Sequence, residues 1–176
     1  MQNRYIMTAF GKDRPGIVAD VTQILYENNC NLEDTTMSML SDEFTINLLF
    51  SCNNDNIEAV LLDECRSLEA QKNISAFIRP LKEPRQINQE DLPLYTLHVE
   101  GMDQAGIVYK ISRYLSGNKM NIVDLKSTVK ATPESGTTLY LMDIQIQVPE
   151  SVSLEVIEGG LDAVAEELNI EITIST

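Results

Sequence analysis

Hydrophobic and polar positions along the chain alternate between two periods, one typical of strands and one typical of helices. Residues 5–10 form a mostly apolar run, which predicts a strand in the interior of a sheet. From residue 17 to about residue 28, the apolar side chains fall on a single stripe with the spacing of an amphipathic helix. Asn28 and Asn29 follow, and Asn tolerates the left-handed conformation that commonly ends a helix.

The next elements complete a recurring order. Residues 31–40 read as a strand, and residues 44–51 alternate between apolar and polar positions. The short turn at residues 41–43 makes the two strands an antiparallel hairpin. A second amphipathic helix is predicted over residues 57–70 and a fourth strand over residues 74–78. The order is β-α-β-β-α-β, known as the split βαβ motif.

The same order begins again after a polar stretch, residues 82–93, which contains two prolines and predicts a linker. Gly101–Val108 repeats Gly11–Val18 at an offset of 90 residues, and this register holds without a gap into the second strand. A hairpin extension about eight residues longer than in the first copy then interrupts it. Residues 142–148 alternate as residues 44–50 do, which we align at an offset of 98.

The second copy is predicted to end with a helix that opens at residues 149–151 and runs to about residue 168, followed by a strand over residues 170–174. Gly159 and Gly160 lie inside this helix and are expected to weaken it by roughly 1 kcal/mol each. The fold class is therefore α+β. We predict two ferredoxin-like βαββαβ domains, residues 1–81 and 94–176, each an antiparallel sheet with helices on one face.

The net charge of the chain limits the classes of molecule that it is expected to bind. The formal net charge is -14, with only 13 Lys and Arg residues and no basic cluster. Because nucleic-acid affinity depends largely on basic side chains that neutralise phosphates, we expect no direct binding to DNA or RNA. The sequence has no apolar run long enough to span a membrane and no signal-peptide core, so a cytoplasmic location is expected.

The residues that usually carry catalysis are sparse. Cys30, Cys52 and Cys65 match no metal or redox spacing, and we expect buried reduced thiols. The single histidine, His98, is expected to be a half-exposed strand residue. No Ser-His-Asp arrangement, Cys-His arrangement or metal cluster is recognisable. We therefore predict no enzyme activity, no catalytic residue, no metal site and no cofactor.

Candidate binding chemistry lies in the two glycine-bearing loops. A helix N-terminus presents unpaired N–H groups and a partial positive charge, which suits a small carboxylate. Gly16 and Gly106 leave room for a ligand, and Asp13 or Asp103 would meet its ammonium group. These residues also have purely structural interpretations: each Asp as an N-cap, and each Gly as a site of close packing of helix on sheet.

These residues resemble the ACT domain family, the ligand-binding regulatory modules of amino-acid metabolism. The resemblance is carried by Asp13–Val18, by the Asn31–Leu32 pair and by the βαββαβ order. It covers both halves of the chain. A chain made of two such modules is similar to the glycine cleavage system transcriptional repressor group. That similarity implies sensing of a small amino acid such as glycine, and contact with a transcriptional activator protein instead of DNA.

The resemblance also implies where a ligand binds, because ACT ligands lie between two modules. One module supplies its loop and first helical turn, and the other supplies the start of its second strand. The first predicted site combines Asp13, Arg14, Pro15, Gly16 and Ile17 with Asn121 and Ile122, and the reciprocal site combines Asp103, Gln104, Ala105, Gly106 and Ile107 with Asn31 and Leu32.

Both sites leave structural alternatives open. The two Asn residues, Asn31 and Asn121, would otherwise serve to end the preceding helix. Arg14 would supply a counter-charge to the ligand or be a solvated surface residue. Because Gln104-Ala105 replaces Arg14-Pro15 in the second copy, the first loop is the stronger candidate.

The leading hypothesis is a non-catalytic regulatory protein that binds a small amino acid and controls a transcriptional activator or an enzyme by protein contact. We also expect a homo-oligomer and no membrane association. The alternative is a pure protein-interaction module that binds no metabolite.

Overall fold

The computed structural model describes residues 3–54, 57–81, 92–131 and 138–176. Contacts divide the chain into two compact units, Met1–Ile87 and Asn88–Thr176. Most of the predicted linker, residues 82–91, lies outside the described residues. The elements in chain order are β1 (Asn3–Lys12), α1 (Ile17–Glu27), β2 (Asn31–Leu40), β3 (Glu43–Cys52), α2 (Ile57–Lys72), β4 (Ser75–Pro80), β5 (Leu94–Met102), α3 (Ile107–Gly117), β6 (Asn121–Ala131), β7 (Thr138–Gln147), α4 (Leu154–Leu168) and β8 (Ile170–Ser175).

The first unit is a four-stranded antiparallel sheet in the order β2-β3-β1-β4. The position of β1 between two neighbours confirms the prediction of an interior strand. Its alternate residues Met7 and Ala9 are fully buried and pack with apolar residues of β3, α1 and α2. This face therefore carries the core, while the other face of the sheet is turned away from the helices.

The second unit repeats the arrangement, with the strand order β6-β7-β5-β8 and a separate core formed with α3 and α4. Two antiparallel sheets with βαββαβ order confirm the predicted α+β, ferredoxin-like fold class. Among the described parts of the chain, none of the helices combines the length and the apolar character needed to cross a membrane.

The strand register corrects the alignment of the two copies. Met7 pairs with Leu48 in the first sheet, and Leu97 pairs with Ile144 in the second. With β1 and β5 offset by 90, the offset between β3 and β7 is therefore 96, and the predicted offset of 98 is wrong. A slip of two residues preserves the alternation of buried and exposed positions, so the pattern alone did not detect it.

The start of the last helix also differs from the prediction. Pro149–Ser151 forms a turn, closed by a hydrogen bond from the Val152 N–H to the Pro149 carbonyl at 3.0 Å, and α4 begins at Leu154. The first helix ends as expected, since Asn29 takes a φ of 51°. Lys119 takes the matching conformation after α3, with a φ of 59°.

The expectation of three reduced thiols is wrong for two of them. Cys30 and Cys52 form a disulfide, and only Cys65 is free and buried. Cys30 immediately precedes β2 and Cys52 ends β3, next to the paired residues Asn31 and Ser51. Adjacent strands bring the two sulfurs together, a proximity that their separation of 22 residues does not reveal. Burial raises the pKa of the Cys65 thiol to about 11, so this thiol is protonated at neutral pH.

Candidate ligand-binding loops

Each predicted loop lies between a central strand and the first helix of its unit. In the first unit, the Asp13 N–H donates to the Asp42 carbonyl at 2.9 Å, which ties the loop to the β2–β3 turn. In the second unit, the Asp103 N–H donates to the Thr138 carbonyl at 3.0 Å. The repeated sequence therefore produces loops that are anchored in the same way, each to the neighbouring hairpin.

Gly16 and Gly106 are required by backbone conformation. Their φ angles are 90° and 101°, in a region that residues with a side chain rarely adopt. A Cβ on Gly106 would meet no atom within 4 Å, and a Cβ on Gly16 would meet only the Arg14 guanidinium, at 4.0 Å. Because the space above both glycines is open, the interpretation that they permit close packing of helix on sheet is wrong.

The N-cap interpretation of Asp13 and Asp103 is also wrong. Gly16 and Gly106 occupy the N-cap positions, with no side-chain hydrogen bond at either cap. Both aspartates are exposed and lie three residues before the cap. Within the described residues, the N–H groups of Val18 and Ala19 in the first turn of α1 have no acceptor. The positive end of the helix is therefore available to an anion.

Arg14 is not a freely solvated residue. Its guanidinium donates to an Asp20 carboxylate oxygen at 2.5 Å, and Lys72 lies 3.5 Å from the other oxygen of the same carboxylate. The hydrogen bond from Arg14 is the main reason that the pKa of Asp20 is lowered, and the Lys72 charge adds to it. The side chain of Arg14 is thus held on α1 and shares the Asp20 carboxylate with Lys72.

Gln104, the residue matched to Arg14 in the second loop, makes a different contact. Its side-chain amide donates to the carbonyl of Leu168 at 2.5 Å, at the last residue of α4. This bond satisfies one of the carbonyls that a helix leaves unpaired at its C-terminus. The neighbouring Pro15 and Ala105 are both exposed. The two loops therefore share a backbone shape but differ in the contact made by the residue after the aspartate. Arg14 pairs with Asp20, and Gln104 binds the end of α4.

Ile17 and Ile107 contribute to the cores, where they are 3% and 2% exposed. Their side chains face away from solvent, so at these positions the backbone alone is accessible to a ligand. The sequence pattern that assigned them to a binding site is also the pattern that starts the apolar stripe of each helix.

The second half of each predicted site lies at the start of β2 or β6. Asn31 and Asn121 are the first residues of these strands, and both are exposed. They do not end the preceding helices, because the side chains of Asn28 and Asn118 do so, each donating at 2.9 Å to the carbonyl four residues earlier. The interpretation of Asn31 and Asn121 as helix-ending residues is therefore wrong.

Leu32 and Ile122 follow them, each next to a register shift in its strand. Leu32 is 41% exposed, and Ile122 is half-buried. Within one unit, the loop and the start of the second strand lie beyond opposite ends of an eleven-residue helix, about 16 Å long. The two halves of each site are therefore not contributed by a single unit, and their assembly stays a prediction.

A polar cluster on the second sheet was not found from the sequence. His98 Nδ1 lies 2.7 Å from an Asp143 carboxylate oxygen, and its Nε2 lies 3.0 Å from the Ser175 hydroxyl. The expectation that no Ser-His-Asp arrangement exists is therefore wrong in one respect, because His98 lies within hydrogen-bond distance of both other side chains. Ser175 lies on the edge strand β8, whereas β5 and β7 are each paired on both sides, so the N–H groups of β5 and β7 serve the ladders. Such N–H groups are not available to stabilise an oxyanion.

Comparison with known proteins shows that the first unit matches a known domain family. Residues 3–73 match the model of the ACT domain. The glycine cleavage system transcriptional repressor of Escherichia coli is 26% identical over 173 residues, covering 97% of this chain and 88% of the relative. A UPF0237 protein of Methanopyrus kandleri is 36% identical over 61 residues, 35% of this chain and 68% of the relative.

A solved structure extends the likeness to the whole chain. The crystal structure of an unknown protein from Galdieria sulphuraria superposes with a TM-score of 0.80 at 26% identity. The match covers 99% of this chain and 98% of that one, so it includes both units and not only the segment that the domain model matches.

Proposed function

Because this chain belongs to the ACT domain family and is related to a transcriptional repressor, we propose that it is a non-catalytic regulator that senses a small amino acid. The proposal includes a cytoplasmic location and control of a transcriptional activator or an enzyme through protein contact. The net charge of -14 disfavours direct contact with nucleic acid and is compatible with a protein partner.

One observation carries the sensing part of the proposal: the first turn of α1 is uncapped and open. Gly16 holds the loop at a φ of 90°, and Asp13 leaves the amides of the helix free. A ligand carboxylate would bind at these amides, and its ammonium group would meet the exposed Asp13 carboxylate. An α-amino acid carries both charged groups on one carbon atom, which fits a site that has a partner for each.

The test is a melting experiment on the full chain. Millimolar glycine or serine is expected to raise the melting temperature of the wild-type protein, because a ligand that binds only the folded state stabilises it. Asp13→Ala should abolish this increase and leave the ligand-free melting temperature unchanged, since Asp13 caps no helix. Asp103→Ala provides the matched variant in the second loop, where we expect a smaller loss.

Flat melting curves with all twenty amino acids would instead support the alternative, a protein-interaction module without a metabolite ligand. A ligand response that survives Asp13→Ala and Asp103→Ala together would locate the ligand away from both loops.

A further inference from the structure

The outer face of each sheet is the one turned away from the helices, and the two sheets carry apolar side chains at different positions on it. In the first sheet this face carries Ile6, Phe10, Leu49 and Phe77, with cross-strand neighbours such as Ile6 and Leu49. At the matched positions of the second sheet stand Thr96, Glu100, Gln145 and Thr173. Four apolar residues of the first face thus correspond to polar residues of the second. At four other outward positions the second face is the apolar one: Leu94, Met102, Leu139 and Leu141 stand where the first face has Arg4, Lys12, Glu43 and Thr45.

The apolar side chains of the first face are accessible among the described residues. Phe10 is 42% exposed and Phe77 is 64% exposed, and their rings stack with centroids 6.1 Å apart. Exposing two adjacent aromatic rings to water is unfavourable, and grouped exposed apolar residues usually mark an interaction surface. The polar residues at the matched positions of the second face show that the fold itself does not require apolar residues at these four positions.

We propose that a second copy of this chain covers the outer face of the first sheet in a two-fold symmetric contact. Such a contact requires one surface to be complementary to itself, because each residue pair across it occurs twice. The face has the two parts that this needs. Phe10 and Phe77 project at the β1–β4 side. A hollow of about 290 Å³ lies at the β1–β3–β2 side, where the apolar side chains of Ile6, Leu49 and Leu81 are joined by the polar residues Asp34, Thr35, Thr36 and Asn47.

Size and charge both favour a second copy. The three ten-residue strands span about 33 Å, the six-residue β4 spans about 20 Å, and strands lie about 4.8 Å apart. The face therefore covers roughly 570 Å², close to the lower end, ~600 Å² per partner, of standard interfaces. The face carries three cations (Arg4, Lys12 and Arg79) and three anions (Glu33, Asp34 and Glu43), and the Glu33 carboxylate pairs with Arg4 at 2.7 Å. Two such faces can therefore approach without the repulsion expected between chains of net charge -14.

This proposal is independent of ligand sensing and is tested by molecular mass. In sedimentation equilibrium at micromolar concentration, the wild-type chain is expected to have twice its monomer mass of 19.7 kDa. The variant Phe10→Glu with Phe77→Thr copies the matched residues of the second sheet. It should weaken dimerisation about 100-fold or more, since losing a buried aromatic anchor often costs over tenfold.

The matched control is Thr173→Glu, which adds a charge at the equivalent position of the second sheet and should leave the dimer intact. Circular dichroism checks that the variants are folded, and Leu49→Gln alters the hollow without touching the aromatic pair. A monomeric wild-type chain, which would mean that something other than a second copy covers the face, overturns the proposal. So does a dimer that persists in both the Phe10→Glu/Phe77→Thr and the Leu49→Gln variants.

Discussion

At the junction between the first helix and the second strand, the two units have the same backbone path but different side-chain contacts. In the first unit, the Cys30–Cys52 disulfide joins the residue before β2 to the end of β3. With offsets of 90 and 96 residues, the matched residues of the second unit are Met120 and Val148, both buried in its core. The N–H groups of Cys30 and Met120 even donate to equivalent carbonyls, those of Leu25 and Leu115.

This difference shows that the covalent link is not needed to shape the junction. The backbone path is the same with an apolar pair in place of the disulfide, so the disulfide contributes stability instead of specifying the fold. Variants that place the residues of one unit at the junction of the other should therefore change stability without changing the fold. The largest effect is expected at the disulfide.

Loss of the disulfide should be the most destabilising change. Closing a loop with a sequence separation of 22 residues is worth about 3 kcal/mol in the chain-entropy account. Cys30→Met with Cys52→Val places the residue types of the second unit at the junction and should still fold. Urea unfolding is expected to show that a reducing agent destabilises the oxidised wild-type protein and leaves the double variant unchanged.

Cys65 provides the internal check on this prediction. In protein that is unfolded without a reducing agent, alkylation and mass measurement should find one reactive thiol, that of Cys65. Three reactive thiols, or equal unfolding curves with and without reduction, would show that the covalent link is absent or contributes nothing.

The packing of the two helices also differs between the units. In the second unit, the Tyr114 hydroxyl donates to the Val156 carbonyl at 3.0 Å, so its ring lies on α4. A Cβ on Gly160 would lie 2.1 Å from this hydroxyl oxygen. In the first unit, the matched position of Tyr114 is Ile24, which is 4% exposed and needs no such glycine.

Gly159 and Gly160 form a matched pair for testing this packing. Gly160→Ala must displace Tyr114 and should be destabilising, since overpacking costs about 1–3 kcal/mol. Gly159→Ala meets no atom within 4 Å and should be stabilising by up to about 1 kcal/mol, through helix propensity alone. Denaturant unfolding of both variants measures the difference. Equal effects would mean that the Tyr114 contact does not constrain the helix.

These elements also show what the sequence predicts well. Strands and helices follow from periodicity, because burying one face of each element fixes where apolar residues must recur. Gly160 illustrates the limit of that information. The sequence marks it only as an unfavourable helix residue, and the aromatic ring that explains it comes from another helix, 46 positions earlier in the chain.

The features of the candidate site also divide into those that the local sequence reveals and those that it does not. Gly16 and Gly106 were found from the sequence because a repeated glycine at a strand-to-helix turn is a local signal. The disulfide, the His98 cluster and the Asp20 pairing were not found, because each joins residues whose proximity depends on strand pairing or helix packing. The N-cap role given to Asp13 was wrong for a related reason: the chain makes an extra turn, and the cap falls three residues later, at Gly16.

The smallest expected effect concerns pH and the charges beside the first loop. Asp20 pairs with Arg14 and Lys72, whereas the matched Lys110 of the second unit pairs with Glu167 at 2.6 Å. The folded-state pKa of Asp20 is lowered below its ordinary value of 3.8, chiefly by the hydrogen bond from Arg14. Its contribution to stability is therefore present above this ordinary value and is lost as the pH falls through the lower, folded-state pKa.

Arg14→Gln should thus reduce the loss of stability that wild-type protein shows on acidification below about pH 4, where Asp residues titrate. Lys72→Gln is the matched control, because its charge is a lesser cause of the lowered pKa and its removal should have a weaker effect. The free energy of unfolding, measured from pH 6 to pH 2.5 for the three proteins, gives the comparison. A larger effect from Lys72→Gln than from Arg14→Gln would assign the anchoring of Asp20 to α2. It would leave the Arg14 guanidinium free to meet a ligand at the loop.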